Sequence, residues 1–156
     1  MERERSAGAV IFRREGGNVY YLLLHYESGH WDFSKGHVEN KEKAKEAALR
    51  EIKEETGLED IKFIPRFREK IRYFFRKSYR KKPKSQEQFR ASAPLILKEV
   101  IFYLAETKKE DIKLSCEHLS FKWLLYKEAL EKVTYKNAQE ILRKVHCFLL
   151  EHENEK

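Results

Sequence analysis

Residues 36–58 read GHVENKEKAKEAALREIKEETGL, and their fixed spacing constrains the chain more than any other stretch. Gly36 is followed after five residues by Glu42, and after seven more by Arg50-Glu51-Ile52, Glu54-Glu55 and Gly57-Leu58. Ala44, Ala48 and Ile52 recur every fourth residue, which predicts a helix whose small-residue stripe can sit close to a sheet. Gly57 falls just past the last helical residue, where a left-handed cap favours glycine. Successive helical residues turn by about 100°, so Glu51, Glu54 and Glu55 share about a third of the circumference. Three carboxylates so close repel one another. A bound cation reverses the sign of that interaction, and hard, oxygen-seeking ions such as magnesium or manganese suit such a ligand set. Taken without the flanking positions, the same three residues would read as a solvated acidic helix face.

The flanking positions are all present. Every fixed position of the Nudix box is filled, and the chain resembles the Nudix hydrolases, which use divalent metal to cleave diphosphate linkages in nucleoside diphosphates joined to another group. That resemblance implies an α/β/α sandwich with a mixed β-sheet. Two further elements are similar to the asymmetrical diadenosine tetraphosphate hydrolases within that superfamily. One is the run Trp31-Asp32-Phe33-Ser34-Lys35-Gly36-His37, which follows their Trp-x-x-Pro-Lys-Gly-His pattern. Ser34 stands where they carry proline, so the stiffening of the loop by a fixed φ is lost. The other is Ser115-Cys116-Glu117-His118, followed by Phe121 and Trp123, which matches their Ser-x-Glu-His element.

Carried over residue by residue, the resemblance implies a site. Glu54 and Glu55 would bind metal (Mg2+, with Mn2+ as an alternative), and Glu51 would be a ligand or the general base. The backbone carbonyl of Lys35 and the Glu117 carboxylate would be further ligands. Arg50 would orient the carboxylates through its fork of donors, and Glu42 would support the loop and the helix start. Lys35, His30 and Lys98 would hold a polyphosphate chain, and Tyr26, Tyr73 and Phe121 would surround a nucleobase. Phe121 stands where several relatives have Tyr. The implied reaction is attack of water on a phosphate of diadenosine tetraphosphate, giving ATP and AMP. Two alternatives stand beside it. One is a pyrophosphohydrolase acting on RNA 5′ ends or on diphosphoinositol polyphosphates. The other is a non-catalytic nucleotide-binding or RNA-binding module, which the intact set of box carboxylates disfavours.

The rest of the chain fits one domain of 156 residues, long enough to bury roughly 70% of its unfolded surface. A net charge of +7 suits a polyanionic partner. Cys116 and Cys147 do not make a disulfide framework and are expected to be buried or inert thiols in a reducing compartment. The charged N-terminus and the lack of a long apolar run predict a soluble, cytoplasmic protein with no membrane contact. Strands are expected at 6–13 and 19–25 as a hairpin, in short form within 26–39, at 61–64, 67–76 and 100–106, and after a loop within 115–124. Helices are expected at 126–133 and 136–151, the latter with Ala138, Ile141, Leu142, Val145, Phe148 and Leu149 as its core face. Residues 77–97 read as a long basic loop insertion, able to act as a lid or to contact nucleic acid through its cations, with Tyr79 and Phe89 available to stack. The sequence leaves the oligomeric state open.

Overall fold

The computed structural model describes residues 2–76 and 94–152. Strand β1 (Glu2–Glu15) lies at its centre. Ser6–Arg13 are buried, which suits a strand covered on both faces and written as a near-continuous small and apolar run. Along one edge β1 pairs in parallel with β6 (Leu95–Glu106). Along the other it pairs antiparallel, first with β4 (Ser34–His37) over Ser6–Ala9 and then with β2 (Asn18–Tyr26) over Phe12–Glu15. Strand β5 (Lys62–Arg76) lies outside β6, while β3 (Trp31–Asp32) and β7 (His118–Leu125) pair with β2. The result is a mixed seven-stranded sheet.

Helix α1 (Ala44–Thr56) covers one face. Its Ala44, Ala47 and Ala48 lie against Ala7 and Ile101, and Ile52 joins Ala9, Ile11, Leu22, Leu24 and Ala105. Helices α2 (Tyr126–Lys132) and α3 (Lys136–Glu151) cover the other face. There Ala129, Ala138, Ile141, Leu142, Val145 and Leu149 pack on Val10, Phe12, Tyr21, Leu23, Phe33, Phe102 and Leu104. Burying each such large side chain stabilises the fold by roughly 1.5–3 kcal/mol. The architecture is the α/β/α sandwich with a mixed sheet that the box implied.

Several local expectations change. The strands expected at 61–64 and 67–76 form one strand, bent where the pairing register shifts between Phe63 and Arg68. Arg66 takes φ 69° there, the left-handed backbone that accompanies the twist of a bulge. The strand expected to begin at Val100 begins at Leu95, so Leu95–Leu97 belong to the sheet rather than to a loop. The remainder of that expected loop, 77–93, with Tyr79 and Phe89, lies outside the described residues. Cys116 and Cys147 are unbridged and exposed, which removes the buried alternative of the two expected for them. Among the described residues no helix is long and apolar enough to cross a membrane.

Candidate active site

Strand β4 divides the site in two. Residues alternate across a strand, and here the alternation puts Gly36 toward α1 and the Lys35 side chain toward the opposite face. Gly36 leaves room for the Glu51 carboxyl group, which a Cβ at that position would displace. Gly8, paired with Lys35, is compelled by packing, because a Cβ there would strike the Ser34 carbonyl oxygen. These two absent side chains let β1, β4 and α1 approach until the helix carboxylates lie against the strand.

On the α1 side Arg50 is the hub. Its Nε donates to Glu42 at 2.8 Å and its Nη1 to Glu51 at 2.9 Å and Glu54 at 3.2 Å. Its Nη2 donates to the His37 carbonyl at 2.8 Å and to Glu42 at 3.1 Å. Five donors in a rigid plane can tie a helix to a loop in this way, and an ammonium cannot. Glu42 in turn accepts from the Glu39 amide at 3.0 Å, closing the loop before α1. The bond to Glu42 is the chief reason the Arg50 guanidinium is held still more firmly protonated than usual.

Glu54 is largely exposed, whereas Glu55 is buried. Burial, and after it the adjacent Glu51, pushes the Glu55 carboxyl up to about 9. Above it lies His118, whose Nε2 is 3.5 Å from Glu55 Oε2. That separation is too long for a good hydrogen bond, and burial lowers the His118 pKa despite the neighbouring acids. The pair is therefore best described as two neutral groups in contact rather than as an ion pair. Glu55 Oε2, His118 Nε2 and Ser34 Oγ are all buried without a hydrogen-bond partner. Orphaned polar atoms of this kind call for an explanation, and a cation beside them would supply one. Among the described residues no three His, Cys, Asp or Glu side chains are already arranged to hold an ion. Glu51 and Glu54 both accept from Arg50 Nη1, and with Glu55 they form a carboxylate donor set of the kind that suits a hard cation.

The Ser115–His118 turn reaches this side through its backbone. The Ser115 amide donates to the Glu55 carbonyl at 3.3 Å, and Lys113 to the Thr56 carbonyl at 2.9 Å. His118 is oriented by a 2.9 Å contact between its Nδ1 and Ser115 Oγ. Glu117 is next to it in the chain, with its side chain exposed. Tyr26 lies edge-on to His118, stacks on His30 at 4.6 Å and donates to the Phe33 carbonyl at 2.8 Å. Burial, then Glu55, Asp32 and Glu51, raise its phenol well above the ordinary value.

The far side of β4 opens into a cleft of about 690 Å³. His30, Lys35, Tyr73 and Lys98 line it, with Phe75 and Tyr135 supplying further aromatic wall. Phe121 and Tyr26 do not line it; both pack against the apolar cluster under Ile52 on the α1 side. Lys35 and Lys98 each have a counter-ion of their own. Lys35 is 3.0 Å from the buried Asp32, and Lys98 is 3.6 Å from Glu4. Burial works against the Lys35 ammonium, but Asp32 more than offsets it and raises the pKa. For Lys98 burial prevails and lowers it. His30 is lowered chiefly by burial, with the Lys35 charge adding to it. The lowered pKa favours the neutral, hydrogen-bonding form of the ring. Asp32, Glu4, Tyr135, Lys136 and Asn137 were not singled out from the sequence. Asp32 alone left a trace, as an acid three residues before Lys35; the others reach the cleft from distant segments.

A helix-borne carboxylate ridge pressed against a glycine-bearing strand, on an α/β/α sandwich, defines a hydrolase of the Nudix class. The NUDIX domain family matches residues 2–145, and the chain belongs to that family; it is a Nudix pyrophosphohydrolase, a class that generally requires divalent metal ions. It is similar over nearly its whole length to a bis(5′-nucleosyl)-tetraphosphatase [asymmetrical] of Mus musculus, with 35% identity over 93% of this chain and 95% of that one. The enzyme of the same description from Caenorhabditis elegans is 32% identical over 93% and 96% of the two chains. The crystal structure of a C. elegans Ap4A hydrolase binary complex matches with TM-score 0.76 and 30% identity, covering 94% of this chain and 98% of that one.

Proposed function

We propose that the protein, as one Nudix domain over residues 1–156, hydrolyses diadenosine tetraphosphate asymmetrically to ATP and AMP. The observation that carries this reading is the two-sided strand β4. A cleft with three lysines and an aromatic wall lies on one side, and the Glu51–Glu55 carboxylates lie on the other. The near full-length similarity to enzymes of that description supports it.

On this reading Glu54 and Glu55 hold a divalent cation, Mg2+ or Mn2+, with Glu51 as a further ligand or the general base. The Lys35 carbonyl and Glu117 are additional candidates. The bound ion supplies charge neutralisation at the attacked phosphoryl group and makes water there easier to deprotonate. Water adds to one phosphorus, the bridging oxygen leaves with the departing nucleotide, and the proton passes to a carboxylate. Arg50 keeps Glu51 and Glu54 on one ridge while this happens. Lys35 and Lys98 bind the phosphate chain as point charges, each released in part from its own carboxylate. His30 donates or accepts a hydrogen bond, and Tyr26 holds its ring in place. Tyr73 offers a face to a base, a contact worth roughly 1–3 kcal/mol.

The test is turnover of diadenosine tetraphosphate with Mg2+, with products resolved by chromatography. Equal amounts of ATP and AMP are expected, with loss of turnover in a chelator. Glu54→Gln and Glu55→Gln should each lower kcat by at least about 100-fold, more than loss of a residue that only supports a ligand. Two ADP as the product, or faster cleavage of 5′-triphosphorylated RNA or of a diphosphoinositol polyphosphate, would overturn the assignment.

A further inference from the structure

The sheet extends beyond the N-terminal half of α1, and among the described residues its α1-side face there is exposed. The register defines three rows across β1, β6 and β5. Ala7, Ile101 and Lys70 lie at the helix edge; Arg5, Glu99 and Arg72 come next; Arg3, Leu97 and Phe74 lie farthest out. Phe74 is 57% exposed. Arg3, Arg5, Lys70 and Arg72 are also exposed. Glu99 is the one carboxylate in these rows, and three cations share it: Arg72 at 3.1 Å, Lys70 at 3.5 Å and Arg5 at 3.7 Å. Four positive charges therefore face one negative charge around an exposed aromatic ring. The neighbouring Tyr73 and Phe75 alternate to the other face and line the cleft, so this surface is separate from the candidate active site.

We propose that this open face of β1, β6 and β5 binds single-stranded nucleic acid, with Phe74 stacking on a base and Arg3, Arg5, Lys70 and Arg72 contacting the backbone phosphates. The excess of cations is complementary to a polyanion. A ring lying among the cations on a sheet is the arrangement that takes a splayed base and its phosphates together, and stacking of this kind tolerates any base. A duplex hides its bases and could use only the charges. An acidic membrane would be served by the charges but gains little from one aromatic ring level with them.

The test is fluorescence anisotropy of a labelled, mixed-sequence single-stranded RNA with the full chain, repeated across salt concentrations. Lys70→Gln with Arg72→Gln should weaken binding at least about tenfold and reduce the log–log salt slope by about 1.4, the share of two phosphate contacts on a single strand. Phe74→Ala should weaken binding about 5- to 100-fold, as loss of one stack does, and leave the slope unchanged. The paired control Lys127→Gln with Arg143→Gln, on α2 and α3, removes the same charge and should leave affinity within about twofold. Turnover of diadenosine tetraphosphate should be unaltered in all of them. Equal weakening by the control pair, unchanged binding by Phe74→Ala, or tighter association with phosphatidylserine vesicles than with RNA would overturn the proposal.

Discussion

Gly36 and Gly8 face each other's strands for different reasons, and their substitutions should part company. A Cβ on Gly36 meets the end of the Glu51 side chain, which can swing away; a Cβ on Gly8 meets the Ser34 backbone, which cannot. Gly36→Ala should therefore cost under about 1 kcal/mol of stability but at least tenfold in kcat, because the displaced group is a proposed ligand or base. Gly8→Ala should destabilise by about 1–3 kcal/mol or more, the range for overpacking a filled interior. Urea denaturation and a turnover assay on the two variants separate the effects. Equal stability losses would show that Glu51 is fixed more rigidly than its side-chain geometry implies. Arg50→Lys should also lower kcat, since one ammonium cannot make the five donations that reach Glu42, Glu51, Glu54 and the His37 carbonyl.

Helix α1 ends at Gly57, with φ 74° and its amide bonded to the Lys53 carbonyl at 3.0 Å. Gly57→Ala should cost about 1–2 kcal/mol, the penalty for a left-handed residue bearing Cβ, read as a lower urea midpoint. This helix was legible in sequence because its period, its small stripe and its terminating glycine agree. The last helix was equally plain, since its apolar residues keep one face from Ala138 to Leu149. Strands β5 and β6 were less so. Lys70, Arg72 and Arg76 alternate with Ile71, Tyr73 and Phe75, and so many cations obscure the period of two. Leu95–Leu97 follow a proline and a basic run, so local composition argued for a loop while pairing with Phe74–Arg76 made them a strand. In the site, the carboxylate ridge followed from helical spacing and the Asp32–Lys35 pair from local spacing, whereas the counter-ion Glu4 reaches Lys98 only because β1 and β6 become neighbours. Phe121 lies against the apolar cluster on the α1 side, a placement set by the pairing of β7 with Leu24 on β2.

At the scale of the molecule, the layer behind the sheet should respond to pH. His146 on α3 stacks on Tyr126 at 3.7 Å, with Nδ1 3.3 Å from the Tyr21 hydroxyl, and burial lowers its pKa. The unfolded chain then binds a proton more readily than the folded one. Stability is full above the unfolded value of about 6.5 and falls as pH drops below it. His146→Phe keeps a ring in the stack and should flatten this decline between pH 7.5 and 5, measured by urea denaturation; an unchanged slope would assign it elsewhere. The sheet that carries this layer also carries β4, whose odd position presents Lys35 to the cleft while its even position adjoins Glu51. On the proposed reading, recognition and chemistry are inherited on alternate letters of one four-residue word. Selection can thus rewrite what the protein holds, at Lys35 and across the cleft, without disturbing how it cuts, and a lineage can change its diet while keeping its teeth.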